Sequence, residues 1–170
     1  MLMMFWEVQR LTREINQLEY EALRTRQRLT HYQKYAGRLG GSANLHLGSI
    51  AGLNSELTPR AMLFAQYANQ ASSMSAMQNL QMAKMQGLVP WTGNALTQYQ
   101  LEMSAFARFK EESMKALKQQ EIDTLNEVEK EIELELNEIE TRLQMKRAAL
   151  QSCKDNLKEE ARDSAPKFGL

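Results

Sequence analysis

A single cysteine, Cys153, leaves no possibility of an internal disulfide, so folding must rest on packing. The compartment stays open, because a lone cysteine suits the reducing cytosol without excluding export. Only three prolines interrupt the 170 residues, and long stretches between them are rich in Glu, Leu, Lys, Gln, Arg and Ala, a composition that favours helix. Four of the eight glycines, Gly37, Gly40, Gly41 and Gly48, crowd into one short segment. There the chain is expected to break its pattern.

Charge of one sign is also missing. Basic and acidic side chains number 21 each, so nothing draws the chain toward nucleic acid or an anionic membrane. Nucleic acid is therefore not an expected partner. No apolar run reaches the length of a membrane-spanning helix. The apolar start, Met1 to Trp6, lacks the basic flank and small-residue cleavage site of a signal peptide. The location expected on these grounds is the cytoplasm, or an exported or virion-type assembly.

Chemistry is scarce as well. His31 and His46 are the only histidines; the first sits in a basic run and the second between two leucines, and neither is set beside a partner by spacing. A di-iron bundle would need Glu-x-x-His on inward faces, and no such motif occurs. The glycines of "GRLGG" match neither a phosphate loop nor a dinucleotide fingerprint. The pairs Met74/Met77 and Met82/Met85 could suit Cu(I), but no histidine or cysteine lies near them, and methionine is a common filler of irregular apolar gaps. No catalytic residue, cofactor or metal is expected.

What is present is helical periodicity. Val8, Leu11, Ile15, Leu18, Ala22, Thr25, Leu29, Tyr32 and Ala36 step alternately by three and four, a coiled-coil seam. Gly37 fits the residue after a helix end. Residues 37–57 mix Gly, Ser and Asn with Leu45, Leu47, Ile50, Leu53 and Leu57, and are read as an ordered loop lying on a helical surface. Thr58 and Pro59 predict a helix start. Gly87 and Pro90 predict its end near Gln86. A third helix is expected from about 95 to 161, capped by Thr92 or Asn94. Its early seam reads Leu96, Tyr99, Met103, Phe106, Lys110, Ser113 and Leu117. Its later seam runs from Ile122 through Leu125, Glu129, Ile132, Leu136, Ile139, Leu143, Lys146, Leu150 and Cys153 to Leu157, with an irregular step at 118–121 between the two.

The fold class expected is all-α: an elongated antiparallel helical hairpin or coiled coil. Two shorter helices, about 2–36 and 59–86, lie along one long helix of about 95–161. The segments are a coiled-coil arm at 1–36, the loop at 37–57, a low-charge helical hairpin at 58–121, a second coiled-coil arm at 122–163 and a tail at 164–170. Arg24, Arg26, Arg28, His31 and Lys34 on the first arm are expected to face the glutamates between Glu127 and Glu140.

Between Ala61 and Ala107 only Lys84 and Glu102 carry charge. A helix with one free face normally carries charge there. At about 100° per residue the second helix divides into two faces. One holds Leu63, Phe64, Tyr67, Ala71, Met74, Met82 and Met85, with Met77 at its margin. The other is a row of small residues: Ala61, Ala65, Ala68, Ser72, Ala76, Asn79 and Ala83. Such a row permits close approach of another backbone, and a second copy of the chain is the occupant expected there. Trp6 and Trp91, amphipathic aromatics at helix ends, join these residues as interface candidates. Trp6 has a competing role, capping the hairpin near Leu157.

In general style the composition resembles that of helical subunits of bacterial secretion or axial structures, without a diagnostic motif. The function expected is non-enzymatic: a structural protein that self-assembles into a ring, tube or filament. A coiled-coil adaptor or secretion chaperone for another protein is the alternative. A membrane-active helical protein is the less favoured one.

Overall fold

The computed structural model describes residues 2–41 and 52–164. Three helices account for it: α1 (Leu2–Gly41), α2 (Leu57–Met85) and α3 (Ala95–Asp163). The fold is all-α, with the long α3 packed against the two shorter helices. Part of the expected loop, residues 42–51, and the end of the tail, 165–170, lie outside the described residues. Two compact units divide the chain: Met1–Thr30 with Glu129–Leu170, and His31–Val128.

In the first unit α1 and α3 run antiparallel. Leu11, Ile15, Leu18, Ala22 and Thr25 on α1 are buried, as are Ile132, Ile139 and Leu143 on α3. Ile15, Leu18, Ala22, Ile139 and Leu143 form one cluster, with Leu136 and Leu150 against it. Each fully buried Leu or Ile contributes about 1.5–3 kcal/mol, so this seam carries the unit. Ion pairs flank it. Arg26 donates to Glu140, Arg147 pairs with Glu19 at 2.6 Å, and Arg28 lies 3.8 Å from Glu135. All are solvent-exposed, so each adds about 0–1 kcal/mol; their effect is on orientation and register. Lys146, a polar seam position, reaches Glu14 at 2.6 Å. Glu129, the other, is half-buried; burial, and then Glu133, hold its pKa above the ordinary carboxylate value.

In the second unit the end of α1, all of α2 and the first part of α3 meet. The expected stop of α1 at Gly37 does not occur; the helix continues to Gly41. The reason is tertiary. Tyr35 and Leu39 are almost wholly buried, and the gain from sealing them outweighs the roughly 1 kcal/mol that a helical glycine costs. Gly40 also faces a neighbour, since a Cβ there would lie 4.0 Å from Ile122 Cδ1.

The start of α2 differs too. Asn54 is the cap: its side-chain Oδ1 accepts the Leu57 N–H at 2.9 Å, and its carbonyl accepts the Thr58 N–H at 3.1 Å. Thr58 and Pro59 therefore lie inside the helix rather than at its boundary. The end of α2 is as expected. Gly87 has φ 71°, and its N–H donates to the Lys84 carbonyl while the Leu88 N–H donates to that of Ala83, which completes a Schellman motif. For α3 the cap is Asn94, whose Oδ1 accepts the Leu96 N–H at 3.0 Å. The helix is unbroken through 118–121.

Every position of the later α3 seam is at least half-buried. The early seam holds in its second half, where Phe106, Lys110, Ser113 and Leu117 are half-buried, and fails in its first: Leu96, Tyr99 and Met103 are exposed, whereas Leu101, Ala105 and Phe109 turn inward. At the expected step Lys118 is buried. Burial lowers the pKa of this amine.

Tyr35 gives a test of this packing. Its hydroxyl is buried without a hydrogen-bond partner among the described residues, and burial, with the nearby Glu121 carboxylate, pushes its pKa far up. An unsatisfied buried hydroxyl costs about 1–3 kcal/mol. Tyr35→Phe is therefore expected to leave the thermal midpoint unchanged or raise it, as read by circular dichroism. A loss above about 1 kcal/mol would show that the hydroxyl is bonded.

Candidate protein-interaction surface

The two faces of α2 exist, and their occupancy is the reverse of the expected one. Ala61, Ala68, Ser72 and Ala76 have 0% of their surface exposed. Ala83 is buried, and Ala65 and Asn79 are half-buried. This small-residue row is thus closed inside the second unit of the chain itself and is not open to a second copy. Two ion pairs fix α3 alongside it. Arg60 Nε donates to Glu121 Oε1 at 2.7 Å, and Lys84 Nζ lies 2.6 Å from Glu102 Oε2 at the other end. These pairs also set the antiparallel direction.

The physical reason is close approach. Interaxial distances fall toward about 8 Å when the contact residues are small, and a dense contact along a whole helix gains many small dispersion terms. A face of methionines holds the axes further apart. The intrachain contact therefore takes the alanine row and turns the methionines outward.

Met74 is 65% exposed, Met77 55%, Met82 50% and Met85 82%. Leu63 and Tyr67 share that face and are also exposed. The methionines do not fill a gap within the chain. Leu88 and Trp91 past the helix end, and Leu96, Tyr99 and Met103 on α3, are exposed as well. Isolated surface apolar residues need no explanation, but so many in one region make it a candidate interaction surface. Trp91, at 85% exposed, is one of them. Trp6, in the other unit, is exposed beside Met3 and Phe5, so it does not serve as a cap near Leu157.

Charge completes the description. The only two charged residues between Ala61 and Ala107 are Lys84 and Glu102, and they pair with each other. Gln98 adds a hydrogen bond to Glu102 at 3.0 Å. No unpaired charge stands on this surface.

Among the described residues, no group of three His, Cys, Asp or Glu side chains could hold a metal ion. No described helix is long and apolar enough to cross a membrane. Sequence reasoning named the methionines as one face and missed Leu96, Tyr99 and Met103 as part of the outward surface; the absence of charge around them was the available signal. No protein-family model, curated protein or solved structure matches the chain.

Two outcomes are expected. Ala68→Leu or Ala76→Leu overfills the sealed contact and should destabilise the fold by about 1–3 kcal/mol, read as a lower thermal midpoint. The hydrogen bond from Lys84, and then that from Gln98, lower the Glu102 pKa. A lowered carboxylate pKa means that the pair's contribution stands above the ordinary glutamate value and is lost as pH falls through the lowered one. An NMR titration of the Glu102 carboxyl should give a midpoint below the ordinary range, and Lys84→Met should return it upward.

Proposed function

We propose that this chain is a non-enzymatic structural protein that self-assembles through the low-charge region 58–121, into a ring, tube or filament. The observation that carries the reading is the outward face of α2, where Leu63, Tyr67, Met74, Met77, Met82 and Met85 are all exposed and the nearby charges Lys84 and Glu102 pair with each other. In water such a face favours burial against a like surface. The surface used is the methionine, leucine and tyrosine face; Ala61, Ala68, Ser72 and Ala76 support it from behind by holding α2 in place. The paired arms, α1 with the later part of α3, give the assembly unit its rigidity. The composition fits the style of subunits of secretion or axial structures.

A second reading follows from the methionines themselves. Their unbranched, polarisable side chains adapt to varied partners, which suits an adaptor or secretion chaperone that holds a different protein. Membrane action is the weakest of the three.

Light scattering of the purified chain from micromolar to millimolar concentration separates the first two. Self-assembly predicts a mass that rises with concentration and ordered particles in electron micrographs. Leu63→Glu with Tyr67→Glu should abolish that rise while leaving the helical circular dichroism intact. A monomer at every concentration would exclude self-assembly and favour the adaptor.

A further inference from the structure

The connection between α2 and α3 is tied down by a relay of polar contacts that draws on both helices. Lys84 Nζ on α2 lies 2.6 Å from Glu102 Oε2 on α3. The other carboxylate oxygen, Oε1, accepts from Gln98 Nε2 at 3.0 Å. Gln98 Oε1 in turn accepts the backbone N–H of Thr92 at 3.1 Å, and the Thr92 hydroxyl lies 3.3 Å from the same oxygen. Thr92 belongs to the connection and follows Trp91, which is 85% exposed. All of these residues lie in the second unit.

Charge gives the relay its direction. An ionised carboxylate only accepts hydrogen bonds, whereas a glutamine side chain has one donating end and one accepting end. Glu102 therefore takes the NH2 end of Gln98 and leaves its carbonyl oxygen for Thr92, whose backbone N–H can only donate. Turning the amide over would set donor against donor at Thr92 and acceptor against acceptor at Glu102.

We propose that Glu102 is a proton-controlled latch on the α2–α3 connection. Ionised, it orients Gln98 to hold Thr92 and keep the neighbouring Trp91 in one position. Protonated, it lets Gln98 turn and the connection loosen. The neutral acid donates as well as accepts, so it no longer selects one end of the amide, and it loses its ion pair. Lys84 is the one charged group that acts on it among the described residues, and neither the connection nor the start of α3 brings another. The hydrogen bond from Lys84, and then that from Gln98, hold the carboxyl below its ordinary pKa. The latch is thus closed above the ordinary glutamate value and opens as pH falls through the lowered one. An aromatic already held in place costs less to bury than one that must first be ordered, so the latch tunes this surface whatever the surface meets.

Trp91 reports on the latch directly. In a Trp6→Phe background it is the sole tryptophan, and its fluorescence anisotropy is read against pH at a concentration where light scattering gives a constant mass. The anisotropy should fall on acidification with the midpoint of the Glu102 carboxyl signal in NMR, while the helical circular dichroism persists. Lys84→Met should move both midpoints upward together, a shift that a merely structural contact would not produce. At neutral pH, Gln98→Leu should lower the hydrogen-exchange protection of the Thr92 amide by roughly 2- to 10-fold. The Lys84→Met titration keeps the test open should the Gln98 variant fold poorly. Thr92 protection that ignores a folded Gln98→Leu would overturn the latch. So would an anisotropy midpoint that stays fixed while the carboxyl midpoint moves, or an anisotropy that falls only when the helical signal is lost.

Discussion

The contact that organises the second unit is the close approach permitted by Ala61, Ala68, Ser72 and Ala76. These four residues present almost no side chain, yet they decide the orientation of α2. Once they are sealed against the rest of the unit, the rotation of the helix about its axis is set, and the methionine face can only point outward. The outward methionine face is therefore a by-product of the least bulky residues in the helix. A helix with larger residues in that row would stand further from α3 and could rotate, and the outward stripe would lose its definition.

The same logic separates the two units. In the first, large aliphatics at heptad spacing supply the burial, and exposed ion pairs such as Arg147 with Glu19 select direction and register. In the second, burial comes from two tyrosines and Leu39 at the end of α1, from Leu57 and the small-residue row of α2, and from Leu125 on α3. Between Ala61 and Ala107 charge is nearly withdrawn from it. The difference in charge lies on α2 and the start of α3, where Met74, Met77, Met82, Met85 and Met103 are exposed.

Much of this was legible from periodicity. The all-α class, the extents of α2 and α3, the Gly87 stop and the whole seam from Ile122 to Leu157 follow from spacing and turn chemistry. What was not legible depended on neighbours. Gly37 reads as a stop, because the burial of Tyr35 and Leu39 is invisible to local propensity. Thr58 and Pro59 read as a start, although Asn54 is the residue whose side chain meets the free N–H. At the start of α3 the periodicity places Leu96, Tyr99 and Met103 in a seam they do not join, because large apolar residues there stand on the exposed side. The candidate surface was legible as two faces of α2. Which face lies inside was not, since both are uncharged and hydrophobicity alone favours burying the larger residues. Packing distance decided the matter instead.

The Lys84–Glu102 pair has a consequence for kinetics. Because the two charges cancel locally, the surface from Ala61 to Ala107 projects almost no field beyond a Debye length. A molecule approaching it is neither guided nor repelled, so encounter proceeds at the unsteered rate, about 10⁵–10⁶ M⁻¹s⁻¹. Ionic strength has little to screen there. Contacts made through this face are governed by how much apolar area is covered and how long it stays covered, and the salt of the surroundings scarcely enters.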